Sequence, residues 1–189
     1  MKKIVIRFNA PVLLTFALLS LIALLLGSWT NGAATTQYFS VYRSSLADPL
    51  TYVRFFGHVL GHADYEHYMS NMLLILLVGP GLEEKYGSGT MVWMILVTAL
   101  VTGLVHFVFF PGSALLGASG VVFMMIVLSS FTAALKGEIP VTLILVVIFY
   151  LGGEIVDGLF QRDNISQIAH IVGGVCGLVF GFTVRRGRR

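Results

Sequence analysis

Ser119, His170, His67 and Asn71 are the residues whose types and spacing suit covalent chemistry. A serine hydroxyl is a weak nucleophile until a base removes its proton, and neutral imidazole is the usual base. Gly117-Ala118-Ser119-Gly120 opens an apolar run. The first turn of a helix there leaves backbone N–H groups unpaired and aimed at incoming negative charge. Glycines on both sides of the serine allow another backbone to approach. Asn71 follows His67 by four residues, so the two share a helix face, and both offer donors to an oxyanion. Nucleophile, base and oxyanion hole together are the parts of an acyl-transfer site. No Asp or Glu lies near His170 along its own helix, which predicts a Ser–His dyad rather than a triad.

The elements that must hold these residues are membrane spans. The 189 residues are 57% hydrophobic and 11% charged, with a mean hydropathy of +0.89. A soluble domain carries about 25% charged residues, so this composition cannot coat a water-facing surface. It excludes a cytosolic enzyme, a disordered scaffold and a nucleic-acid binder. The single cysteine, Cys176, excludes an intrachain disulfide framework and a CxxC redox or zinc motif.

Stretches free of Asp, Glu, Lys and Arg cover 8–42, 67–82, 86–135, 139–153 and 164–184. A crossing helix needs about 20 mostly apolar residues. The third stretch is too long for one crossing, and Pro111-Gly112-Ser113 divides it. The first turns polar after Trp29. Six spans follow, near 10–29, 67–84, 90–110, 117–135, 139–156 and 166–185, in one domain over 1–189. With the amino terminus inside, nine of the twelve Lys and Arg residues fall on the inner side, and Arg43, Arg54 and Arg162 fall outside. That is the positive-inside pattern. The terminal run Arg185 to Arg189 then reads as an anchor, both termini are cytoplasmic, and the expected address is a bacterial inner membrane. A cleaved signal peptide is the alternative at the start, but signal cores are about 7–15 residues. The run here is longer and no clean A-x-A site follows, which favours a retained first span.

Residues 30–66 are the one long connection. Tyr38, Phe39, Tyr42, Tyr52, Phe55 and Phe56 are too many aromatics for a watery linker. The segment is expected to be partly helical and partly embedded against the bundle, where non-helical backbone is tolerated. Spans 2, 4 and 6 run from outside to inside. Their first turns bring His67 and Asn71, Ser119 and His170 to similar depths near the outer face. Singly, such residues have plainer readings: Ser back-bonds to its own helix, and Asn or His cross-links helices. Their common depth favours a shared site. On span 6, Ala169, Gly173, Gly177 and Gly181 form a small-residue ridge that permits close helix approach.

These residues resemble the rhomboid intramembrane serine proteases. The match rests on Arg54, His62, His67-x-x-x-Asn71, Gly117-Ala118-Ser119-Gly120 and Ala169-His170-x-x-Gly173. Leu82-Glu83 and Tyr86-Gly87-Ser88-Gly89 resemble the family's junction between spans 2 and 3. The resemblance covers roughly 50–184. It implies an all-α, six-span bundle with an embedded first loop and a water-filled cavity open to the outer face. It further implies Ser119 as nucleophile, His170 as base, and Asn71 and His67 assisting the oxyanion. The implied substrates are single-span membrane proteins within the bilayer, admitted by movement of span 5, with no metal, cofactor or nucleic acid. Two positions depart. Val53 stands where the family often has Trp, loosening the expected loop anchoring. Phe123 replaces a common Tyr, keeping a ring to stack on His170 without its hydroxyl.

Two rivals belong to other classes. His58 and His62, four apart with Asp64, Glu66 and His67 following, could hold a zinc ion in a metal-binding or transporting protein. However, HExxH is absent, no ligands recur along the other spans, and His58 and His62 are expected to bond within the first loop. A catalytically dead client-binding relative is disfavoured because Ser119 and His170 are both present. His106 is expected to bond between helices.

Overall fold

The computed structural model describes residues 9–131, 139, 141–146, 148 and 165–184. The chain is predominantly helical. The elements are α1 (Pro11–Trp29), α2 (Ala33–Tyr38), β1 (Val41–Tyr42), α3 (Pro49–Gly57), a 3-10 turn (His58–Leu60), α4 (Tyr65–Tyr86), α5 (Ser88–Phe109), β2 (Ala114–Leu115), α6 (Ser119–Ser129), α7 (Val141–Val146) and α8 (Ile165–Thr183). Among the described residues α1 and α5 are long and apolar enough to cross a bilayer. Most of the fifth expected span, and the basic residues at both termini, lie outside the described residues.

Polarity is distributed as an apolar solvent requires. Leu18 and Leu25 on α1, Leu77 on α4 and Phe182 on α8 face outward. Asn71, Thr98, Thr102 and His106 are buried among the helices. Such groups are costly in hydrocarbon and therefore turn toward the bundle interior. The apolar core is built from Leu13, Ile75, Met94, Met124 and Leu128, from four different helices.

One acidic residue ties three helix ends together. Glu83, 2% exposed, accepts from the N–H groups of Val12 at 3.0 Å and Leu13 at 3.2 Å. It also accepts from the Ser88 hydroxyl at 2.7 Å. The first turn of α1, opened by Pro11, thus finds acceptors for two of its orphan donors. Gly79 permits the accompanying contact, because a Cβ there would collide with Leu13.

The 30–66 segment is folded against the helices, with α2, β1, α3 and the 3-10 turn in place of a linker. Asp48 caps α3 through Leu50 N–H, and Pro49 fills its first position. Arg54, only 4% exposed, donates to Gln37 O at 2.9 Å and Asp48 Oδ2 at 3.2 Å and lies over the Tyr42 ring. Val53 points outward at 49% exposure, so the internal anchor is Arg54 and not its neighbour. Val41 pairs antiparallel with Leu115, joining this segment to the approach to Ser119. Nothing in the sequence marks that ladder. Two-residue strands carry no periodicity to detect.

His58 corrects an expectation. Its Nε2 donates to Ala99 O of α5 at 3.0 Å, not to a partner within the loop. Burial, outweighing the bond to Ala99, pushes His58 down from 6.5 to about 4. Burial and the neighbouring His67 likewise push His62 to about 4.

Two outcomes follow. Glu83→Ala leaves three donors without acceptors and lowers stability by about 2 kcal/mol or more, read as a reduced thermal midpoint in detergent. Because folded His58 and His62 bind protons less readily than the unfolded chain, stability is complete above about pH 6.5 and declines toward pH 4. A thermal midpoint unchanged between pH 7 and 5 would contradict this.

Candidate active site

Ser119 is the first residue of α6, with Ala118 at the cap and no side chain capping the turn. The first helical bond of α6 runs from Val122 N–H to Ala118 O at 2.9 Å. The N–H groups before it thus have no partner within α6, the condition an anion-binding helix end needs. The loop before Ser119 is pinned by Gly117 N–H, which donates to His58 O at 2.9 Å. Gly117 has φ +122°, a backbone state that side chains rarely adopt. A Cβ on it would lie 2.8 Å from both Cε1 and Nε2 of His67. The His67 ring therefore rests against the residue two before Ser119.

On the other side, α8 approaches α6 at backbone distance. A Cβ on Gly173 would collide with the Gly120 carbonyl, and one on Gly120 would lie 3.3 Å from Ala169 O. A Cβ on Gly177 would lie 2.5 Å from Met124 O. The small-residue ridge read from the sequence is the contact face, and Gly120 is its counterpart on α6. His170 stacks on Phe123 with centroids 4.4 Å apart and planes 8° from parallel. Phe123 lies four residues after Ser119, on the same helix face. His170 is thereby held about one turn from the serine, and both residues are half-buried.

Asn71 is buried and its Nδ2 donates to His67 O at 2.9 Å. One amide hydrogen is thus committed to its own helix and the second is the one available to a ligand. Asp64 caps α4 by accepting from His67 N–H at 2.8 Å, which fixes the first turn of α4 carrying both residues. Thr102 of α5 packs against Gly120 from behind, with its Cγ2 3.1 Å from a Cβ built there. It was not singled out from the sequence, since a threonine within an apolar run has no motif to mark it.

The remaining histidines separate. His58 bonds to α5, whereas the Nδ1 of His62 donates to Leu60 O at 3.1 Å. His106 Nε2 donates to Ser113 O at 3.1 Å and the ring stacks on Phe110. It braces the end of α5 to the turn that follows, not to another helix. Among the described residues no three His, Cys, Asp or Glu side chains converge as a metal site.

A family model described as "Rhomboid domain" matches residues 49–187. A mouse protein named "Rhomboid-related protein 2" is 27% identical over 169 residues, which cover 78% of this chain and 56% of that protein. A Caenorhabditis elegans protein named "Rhomboid-related protein 1" is 30% identical over 140 residues, covering 69% of this chain and 39% of that protein. The chain therefore spans about half or less of the length of these relatives. Both relatives are animal proteins and lend no support to a bacterial source.

Gly117→Ala tests the local geometry. It forces a Cβ into the His67 ring at a positive φ. The strain is worth about 1–3 kcal/mol. The expected result is a lower thermal midpoint together with weaker labelling of Ser119 by a fluorophosphonate probe.

Proposed function

The chain belongs to the rhomboid family, and on that premise we propose that it is an intramembrane serine endopeptidase. It acts through a Ser119–His170 dyad on single-span membrane proteins, cutting near the outer face. The reading includes six crossings, both termini in the cytoplasm, and no metal or cofactor. The observation that carries it is the convergence on one helix end. His170 is stacked on Phe123 one turn beyond Ser119, and His67 is seated on Gly117 two residues before it.

In the proposed reaction His170 takes the proton from Ser119 Oγ as the oxygen attacks the scissile carbonyl. Negative charge develops on the carbonyl oxygen at the mouth of α6. In this reading the N–H groups of that first turn, the His67 ring and the second Asn71 amide hydrogen receive it. His170 then returns the proton to the leaving amine, and water releases the acyl group by the reverse sequence. His170 lacks a carboxylate on its own helix, and the flat Phe123 ring supplies orientation instead. The α6 glycine contact keeps base and nucleophile on adjoining helices throughout.

The setting supports this substrate class. The site sits between helices whose outward faces are apolar, so a substrate arriving through the bilayer meets it without passing through bulk water. A helical substrate must unwind to present an extended bond to Ser119, which favours segments with small or helix-breaking residues.

Ser119→Ala and His170→Ala should each abolish cleavage of a bilayer-embedded substrate while leaving the thermal midpoint nearly unchanged. Asn71→Ala should retain activity reduced by about 10²–10³-fold, the usual worth of one oxyanion donor. EDTA should have no effect. Cleavage by purified Ser119→Ala protein refutes the proposal.

A further inference from the structure

His67 has a role in the reaction proposed above, yet its side chain is held by packing alone. Among the described residues its backbone N–H and carbonyl are bonded, to Asp64 and Asn71 respectively, and its imidazole makes no hydrogen bond. The terminal torsion of a histidine is broad and roughly two-fold. A ring that must present one particular nitrogen to an oxyanion therefore needs neighbours that select its orientation. Two such neighbours are in contact. One is the backbone of Gly117. The other is His62, whose ring meets the His67 ring edge-on, with centroids 5.0 Å apart and planes at 71°.

His62 is itself held firmly. It is 2% exposed. Its Nδ1 donates to Leu60 O, two residues back, and its ring also meets Tyr68 edge-on at 5.6 Å. The bond to Leu60 defines the tautomer: Nδ1 carries the proton and Nε2 is a lone-pair acceptor. That Nε2 is buried without a hydrogen bond. An arrangement that leaves a buried acceptor unsatisfied is destabilising by itself, so hydrogen bonding alone does not account for a histidine at this position. On its other side His62 lines an outer cleft of about 560 Å³ together with Ser28, Asn31, Thr35 and Asp64. His62 thus forms a wall between that cleft and the His67 ring.

We propose that His62 is a positioning residue: its edge contact fixes the His67 ring against Gly117, aligned with the oxyanion that forms at Ser119. This rests on the protease reading above. His62 touches no reacting atom and acts only through His67.

A double-mutant cycle measured on a purified, bilayer-reconstituted protein tests it. His62→Ala should lower kcat about 10-fold, less than the 10²–10³ of losing an oxyanion donor outright, with KM unchanged within about two-fold. In the double variant His62→Ala/His67→Ala, kcat should equal that of His67→Ala within about two-fold, since no ring remains to be positioned. His62→Asn keeps a donor for Leu60 O but is too short to reach His67. It should fold with a wild-type thermal midpoint, reproduce the kcat loss, and carry the cycle if the alanine variant does not fold. Wild-type kcat in His62→Asn, a loss confined to KM, or losses that multiply in the double variant overturn the proposal. In those cases fluorophosphonate labelling of Ser119 in the wild type leaves the protease reading standing. A wild-type protein that neither cleaves nor labels overturns both.

Discussion

The backbone contact between α6 and α8 is the constraint on which the candidate site depends. Gly120 and Gly173 have no Cβ, and one added to Gly173 would collide with the Gly120 carbonyl. Any larger residue would push α8 away from α6. The displacement would carry His170 off Phe123 and away from the turn that begins at Ser119. In hydrocarbon no hydrophobic force draws two helices together, and close packing of small residues is what remains to hold them. The glycines are therefore both the means of association and the ruler that sets how far His170 stands from the start of α6.

A second set of contacts holds the opposite wall. The 30–66 segment is built around buried Arg54, whose guanidinium gathers Gln37, Asp48 and the Tyr42 ring. From that anchor the chain runs through the 3-10 turn, where His58 O receives Gly117 N–H. The β1–β2 ladder adds a second link to the same loop. The approach to Ser119 is thus clamped by two groups from the first loop, while α8 clamps the helix that follows. Ser119, His170, and His67 with Asn71 come from three helices, and their arrangement is a property of these clamps and not of any one element.

The four histidines other than His170 illustrate how equal side chains diverge by surroundings. His58 and His106 each donate one ring nitrogen to a backbone carbonyl and tie segments together. His62, which donates to Leu60 O, and His67 meet edge to face beside the candidate site. The spacing of His58 and His62 in the chain would also suit a pair of metal ligands, yet one ring bonds to Ala99 O and the other to Leu60 O. Glu83 is a comparable case: a carboxyl group in an apolar setting that is fully occupied by helix-end donors and so is structural.

Much was legible in the sequence because it depends on local chemistry. The sparse charge, the apolar stretches and the four-residue repeat from Ala169 to Gly181 identify a helical membrane protein with one tightly packed helix face. The types of Ser119, His170, His67 and Asn71, with glycines around the serine, mark them as candidates for one site. Other features were not legible. Glu83 as an acceptor for α1, the two-residue ladder, His58 turned toward α5, and His62 against His67 each join positions without a periodic signal between them. Composition and spacing act along the chain, so they indicate which segments are helical and which residues are candidates for chemistry. Ring directions and backbone collisions act across it, and they exist only once α6, α8 and the first loop are packed together.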